Sequence, residues 1–408
     1  MIKLLRGEIL LKKKKDTKKK SNLFIFFAKP KKKLPKLKIF IGLFIILLFV
    51  AVILLYRFNS PSQEFMDKYL FRKDVAQDSL PYIDASADTY IALSSFDKYI
   101  VVINKSSVDG YTASSKKSFS LNIAVNNPIM NSNGRFFIIG ELNGQTAYLI
   151  SNENITWQKS FDGQITSIYV NKNGYSTIVL SQTSYKSVII MVDPSGKEVF
   201  TTYLANTVAL NTCISNDNKY LAIAEVDTDG ASAKSSVKIV SVEKAKSDPT
   251  NSVVNTFSAD PGNIIVQIEY NDKNKVACLY SDNISIVNGD QNNVVYTTNS
   301  NTSFLDVRLN NNILAAEDVS SGIFSSYTKL KIINMDNKET DYNSESIAKS
   351  IYTNNDTIAM NFGTEVRFLN TSGWLIKKYS SKQEVQNILL FNNAAGIVYR
   401  NKIEIVSL

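Results

Sequence analysis

Glu225-Val-Asp227-Thr-Asp229-Gly230 sets three carboxylates at alternate positions ahead of a glycine. The first half of a calcium loop presents its oxygen ligands in this way. The twelfth position is Ser236 instead of a bidentate glutamate, so the stretch reads as an acidic hairpin turn and no metal ligand is assigned. A second group, Glu317 and Asp318 beside Gly322, Phe324 and Tyr327, joins carboxylates to aromatic rings. Such rings grip a glycan or peptide at low entropic cost, or pack on a neighbouring element. Glu225 and Glu317 would also serve as the acid and base of a glycosidase-like site. Thirty-five acidic residues follow residue 38, however, and nothing in the spacing marks these two. Glu225, Asp227, Asp229, Glu317, Asp318, Phe324 and Tyr327 are therefore expected on a ligand face, with no catalytic residue, cofactor or metal.

Composition narrows the chemistry further. Histidine is absent from the 408 residues, which removes Ser-His-Asp hydrolases, Cys-His proteases, His-ligated zinc and ordinary haem attachment. Cys213 and Cys278 are the whole cysteine complement, too few for a four-thiolate zinc site or an iron-sulfur cluster. They read as two small buried thiols, or as a disulfide if the positions face each other.

The elements that must position the ligand face are strands. From Tyr82 onward, β-rich runs of five to eight residues are separated by Asn/Asp/Gly/Ser turns. One four-strand unit runs Ile165 to Val170, Ser176 to Leu180, Ser187 to Val192, the turn Asp193-Pro-Ser-Gly196, then Glu198 to Tyr203. The same order returns from Ala348 through the turn Asn370-Thr-Ser-Gly373 to Tyr379, and again between Ile264 and Thr297. First strands near Ile83, Leu121, Ile165, Val208, Ile264, Phe304, Ile347 and Val385 recur at the spacing of propeller blades. The last unit has three strands before Leu408, so a closed ring needs its fourth from the start of the domain, for which Phe71 to Leu80 is available.

These repeats resemble β-propellers of the WD-repeat and quinoprotein type, and more narrowly the uncharacterised membrane-anchored propellers of low-GC Gram-positive bacteria. The resemblance implies an all-β fold of eight four-stranded blades, with seven as the alternative. Trp157 and Trp374 occupy similar places at fourth strands but do not recur in every unit, which argues against a quinone-cofactor repeat. Loops joining second to third strands share a propeller's ligand-bearing face with those between blades, and the two long ones are Glu225 to Ser236 and Asp318 to Tyr327.

The basic excess lies ahead of this domain. Residues 1–38 hold fifteen Lys/Arg against Glu8 and Asp16, a net of +13, which leaves −4 for the rest of a chain whose total is +9. Ile39 to Tyr56 follow without a charge, fifteen of the eighteen being Leu, Ile, Val or Phe. A helix of that length spans roughly 27 Å, close to the hydrocarbon thickness of a bilayer. Such charge asymmetry keeps the amino terminus cytoplasmic and exports the carboxy-terminal part. The expected organisation is a basic cytoplasmic tail (1–38) against anionic lipid headgroups, a transmembrane helix (39–56), a juxtamembrane helix from the capping box Ser60-Pro61-Ser62-Gln63 with a closing strand (57–81), and an extracytoplasmic propeller (82–408).

A rigid ring with variable loops suits binding or scaffolding of a protein, peptide or cell-wall polymer at the cell envelope, without enzymatic activity and without nucleic acid as a partner. The alternative is an extracytoplasmic carboxylate-dependent enzyme acting on glycans. Acids converging in the central funnel would favour the enzyme, and acids scattered over the rim would favour binding.

Overall fold

The structure is a computed structural model that describes residues 36–58, 62, 66, 70, 71, 74, 75, 80–86, 88–321 and 325–408. The chain divides into two compact units, Met1–Phe71 and Arg72–Leu408.

In the first unit, helix α1 (Lys36–Phe58) forms over 23 residues, where the uncharged run leads one to expect it. Its described side chains run from residue 40 to 56, and the large apolar ones from Phe40 to Leu55 are exposed. That described stretch covers about 26 Å, somewhat less than a hydrocarbon core of about 30 Å. Among the described residues no helix is long and apolar enough to cross a membrane. The basic run up to residue 35 and most of the expected capping-box helix lie outside the described residues.

The second unit is built of eight antiparallel blades, spanning 92–121, 128–160, 164–204, 207–258, 265–297, 302–343, 350–380 and 387–407. The eighth blade has three strands of its own, and its outer strand is Tyr82–Asp84 from the start of the domain, antiparallel to Lys402–Ser407. Closure is thus of the expected kind but uses other residues. Ile83 and Ala85 are buried between blades 8 and 1, which anchors Tyr82–Asp84 as the closing strand, whereas Phe71 is exposed. Within the expected segment Phe71 to Leu80, Asp74–Val75 instead pairs parallel with the outer strand of blade 7 (Leu375–Ser380), making that sheet five-stranded.

Two expected first strands are displaced for a related reason. Ile83 belongs to the closing strand and Leu121 ends the outer strand of blade 1. The true inner strands there, Ala92–Phe96 and Pro128–Asn133, are rich in Ser, Asn and small residues that border the central channel and are only half-buried. They carry no apolar run for a strand pattern to register.

The turns follow directly from their residues. Asp193 Oδ1 accepts the backbone N–H groups of Ser195 and Lys197, and Asn370 Oδ1 those of Ser372 and Trp374. Gly196 and Gly373 sit at φ +89° and +71°, left-handed geometry that a glycine adopts without steric cost. Asn171 and Asn271 close the turns after the first strands of blades 3 and 5 in the same way.

Blade-to-blade packing holds the ring. Buried apolar clusters lie at every junction between neighbouring blades, for example Phe96, Val101 and Phe137 between blades 1 and 2, and Leu314, Ile332, Ile358 and Met360 between blades 6 and 7, with one continuous cluster running through blades 3, 4 and 5. Burial of each such side chain contributes about 1.5–3 kcal/mol. The ring therefore has no exposed blade face except at its outer strands.

Candidate functional site

Glu225 stands on the second strand of blade 4 (Tyr220–Asp227), opposite Ser236 on the third. It is 2% exposed. Thr207 Oγ1 and Ser236 Oγ donate to its carboxylate at 2.8 and 3.0 Å, and Lys238 Nζ lies 2.8 Å away. Glu317 repeats this on the second strand of blade 6 (Asn312–Ser321), opposite Lys329. Its Oε1 accepts from Tyr296 OH at 2.9 Å and Asn299 Nδ2 at 3.1 Å, with Lys331 Nζ at 3.2 Å. In both blades the lysine sits two residues beyond the residue paired with the glutamate. The two carboxylates are thus one blade-locking device used twice. Burial alone would raise the Glu317 carboxyl, but Tyr296, Lys331 and Asn299 together hold it below its ordinary value.

The other rim residues are likewise engaged. Asp227 accepts the N–H of Asp229, and Asp229 pairs with Lys186. Thr328 Oγ1 donates to Asp318 at 2.7 Å. Tyr327 is half-buried, and Phe324 lies outside the described residues. Both loops are in fact long hairpins whose strands continue to Asp227 and to Ser321. Blade 5 separates them, so the structure does not gather these residues into one site.

The cavity lies at the opposite end of the ring. It measures about 440 Å³ and is lined by the turn after the first strand of all eight blades, including Asp97, Gly134, Lys172, Asn216, Asp272, Asn310, Asn355 and Asn392. The residues expected on a ligand face, Glu225, Asp227, Asp229, Glu317, Asp318 and Tyr327, do not line this cavity. The turn end surrounds an open-mouthed volume of the size that small-ligand sites have, about 300–1,000 Å³.

Four carboxylates (Asp97, Glu269, Asp272, Asp306) face two cations (Lys172, Arg308) in the lining. Tyr169, Cys213 and Glu269 hold equivalent positions, two residues before the turn, on the first strands of blades 3, 4 and 5. Because the cysteine between them is small, Tyr169 reaches over it and donates to Glu269 Oε1 at 2.6 Å. Asp306 is buried and fully used: the Arg308 N–H donates at 2.6 Å, Arg308 Nη2 at 3.0 Å and Thr353 Oγ1 at 2.8 Å. Arg308 itself keeps 59% of its side chain exposed toward the lumen.

Glu269 differs from every rim carboxylate. Among the described residues no cation lies within ion-pair distance of it, and its strongest donor is a neutral hydroxyl. Enclosure by protein raises its carboxyl to about 7, with Asp306 adding to the rise, against the lowering by Tyr169 and Arg308. Cys213 and Cys278 are free and buried, with thiols pushed up by burial, which makes them inert packing groups.

Asn271 supplies the last feature. It is 4% exposed and lines the cavity, and its Nδ2 has no partner among the described residues. The equivalent Asn171 donates its Nδ2 to Ser215 O and Asn218 Oδ1 of the next blade. An enclosed donor left unpaired costs about 1–3 kcal/mol.

Residues 71–408 match a protein family described as a family of unknown function, DUF5711. The chain belongs to that family. No curated protein matches the sequence. Among solved structures, this DUF5711 chain is similar to Sqt1 of Chaetomium thermophilum, bound to the N-terminus of ribosomal protein L10, at 12% identity and TM-score 0.50 over 81% of this chain and 100% of that one. BamB from Moraxella catarrhalis is 12% identical with TM-score 0.47 over 81% and 97%. AztD of Citrobacter koseri is 11% identical with TM-score 0.43 over 72% and 87%. At such identities the likeness is one of fold alone.

Proposed function

We propose that this protein is a membrane-anchored binding module whose ligand enters the central channel from the end formed by the first turns of the blades. The observation that carries the reading is the open-mouthed cavity around Glu269, Asp306 and Arg308, with a buried amide donor in its wall. Glu225, Asp227, Asp229, Glu317 and Asp318 on the hairpins each have a partner, whereas the Asn271 Nδ2 in the cavity wall has none among the described residues. The propeller neighbours, Sqt1 with its bound peptide among them, support binding or scaffolding as the general role. Helix α1, with its exposed apolar side chains and the basic segment ahead of it, supports an anchor in a bilayer with residues 1–38 against anionic headgroups and the propeller exported to the envelope.

A photo-crosslinking residue at Asn392, on the cavity mouth, tests the reading against the same group at Asp229, on the rim hairpin. In native membranes the first is expected to capture an envelope protein or wall polymer and the second to capture none. Capture at Asp229 alone would overturn it. A reporter fused to Leu408 tests the anchor, and is expected in the compartment opposite Met1.

A second reading, a carboxylate-dependent glycan-active enzyme, keeps one observation in its favour: two acids, Glu269 and Asp306, do converge in the channel. Glu269 near 7 has the proton affinity of a general acid at neutral pH. Asp306 counts against it, since its oxygens are taken by Arg308 and Thr353 and it is buried. Turnover of a glycan lost on Glu269→Gln would favour the enzyme.

A further inference from the structure

We propose that the channel cavity binds a sugar unit carrying a free primary ammonium, with Glu269 as its counter-ion and Asn271 as a donor to a ring or hydroxyl oxygen. The inference rests on the reading of the channel as the binding site and names the ligand's chemistry.

Charge selects the sign. The lining carries four carboxylates against two cations, and both cations are already committed, Lys172 to Asp272 at 2.6 Å and Arg308 to Asp306 at 3.0 Å. An anion would have to share Lys172 and Arg308 with Asp272 and Asp306, whereas Asp97 and Glu269 have no ion pair among the described residues. A cation would meet Glu269, whose carboxylate has only the Tyr169 hydroxyl on it among the described residues, and a partly desolvated wall strengthens that attraction.

Asn271 selects the rest of the ligand. Its buried Nδ2 calls for an acceptor, which a simple polyamine lacks. The remaining wall mixes carboxamides and Ser and Thr hydroxyls with aromatic and aliphatic side chains such as Phe304, Tyr352 and Leu389. Carboxamides present an acceptor and two donors in one plane, matching adjacent hydroxyls that both give and accept hydrogen bonds. Ammonium and polyol together describe an amino sugar.

Binding also has a proton balance. Glu269 holds its proton over most of the population at pH 6, because its carboxyl is raised to about 7. Pairing with an ammonium ionises it, so a proton leaves Glu269 for solvent as the ligand binds.

The test is calorimetric titration of the full-length chain in detergent micelles at pH 6, in two buffers of different ionisation enthalpy. The probes are a β-1,4-linked glucosamine dimer, its N,N′-diacetyl counterpart and spermidine. The free-amine dimer is expected to bind about tenfold more tightly than the diacetyl form, with release of more than half a proton per ligand. Glu269→Gln, which keeps the acceptor for Tyr169, is expected to abolish both the preference and the proton release in a variant whose melting temperature at pH 6 is no lower than that of the wild type. Equal binding of the two dimers would overturn the inference while leaving the channel as a binding site. Spermidine binding as tightly as the dimer, or a preference that survives Glu269→Gln, would overturn it as well. Absence of binding by all three probes also overturns it, and the Asn392 crosslink then judges the channel independently.

Discussion

Glu225 and Glu269 are both glutamates on strands of neighbouring blades, yet they live in opposite chemical circumstances. Glu225 sits on a second strand with Lys238, Thr207 and Ser236 around it, so its charge is fully answered within one blade. Glu269 sits on a first strand facing the channel with one neutral hydroxyl from two blades away. The contrast teaches that in a propeller a carboxylate's role follows from which strand carries it. Second and third strands flank Glu225 with partners that answer its charge, whereas a first strand bordering the lumen leaves the charge of Glu269 to a ligand or to a proton, though Asp306 on another first strand is answered by Arg308.

Glu225→Ala gives the largest effect expected from breaking this contrast. Removing a buried carboxylate leaves Lys238 and two hydroxyls without their partner, and unfolding free energy in urea should fall by about 2–4 kcal/mol at pH 7. A loss within error would move Glu225 out of the structural class.

Glu269→Gln should act with the opposite sign. The folded carboxyl titrates near 7, above its value of about 4.5 when unfolded. Between those values the folded state holds the proton that the unfolded state has released, so stability declines as pH rises from about 4.5 to 7 and is level beyond. The amide removes that penalty: stability should rise by about 1–3 kcal/mol at pH 8 and change little at pH 4. Denaturant curves of wild type and variant at the two pH values check it, and a destabilised variant at pH 8 would contradict it.

Tyr169→Phe sharpens the same point with a smaller effect. The variant withdraws the only hydroxyl on the ionised Glu269 and should cost about 1 kcal/mol at pH 8, less at pH 5 where the carboxyl is protonated. Equal loss at both pH values would make Tyr169 a packing residue alone.

Smallest of all is Asp336→Asn. Its carboxyl is held down to about 2 by Lys275 and Lys273 on the surface, but exposed pairs of this kind contribute little. The melting temperature should be unchanged, and a measurable drop would mean that surface charges on the turn end support the ring.

Much of the ring was legible from particular residues. The turns Asp193-Pro-Ser-Gly196 and Asn370-Thr-Ser-Gly373 carry their own hydrogen-bond acceptors and glycine, so blades 3 and 7 announce themselves. The inner strands of blades 1 and 2 did not, because Ser94, Ser95, Asn131 and Ser132 border the channel and break the apolar pattern. The rim carboxylates drew notice through local spacing, since acids close in sequence on a hairpin are visible to the eye. Tyr169 and Glu269 are a hundred residues apart and meet only when the ring closes. The one signal that would have found them is their shared position two residues before an Asn turn in aligned repeats, where Cys213 also stands.

The most direct test of the central claim is ¹³C NMR titration of the glutamate carboxyls in the full-length chain, with Glu269 assigned by its loss in Glu269→Gln. A midpoint near 7 for Glu269, with Glu317 below the ordinary carboxylate range, is the result expected of an enclosed channel carboxyl and a locked rim carboxyl. A Glu269 midpoint of about 4 to 5, where solvated glutamates titrate, would contradict it.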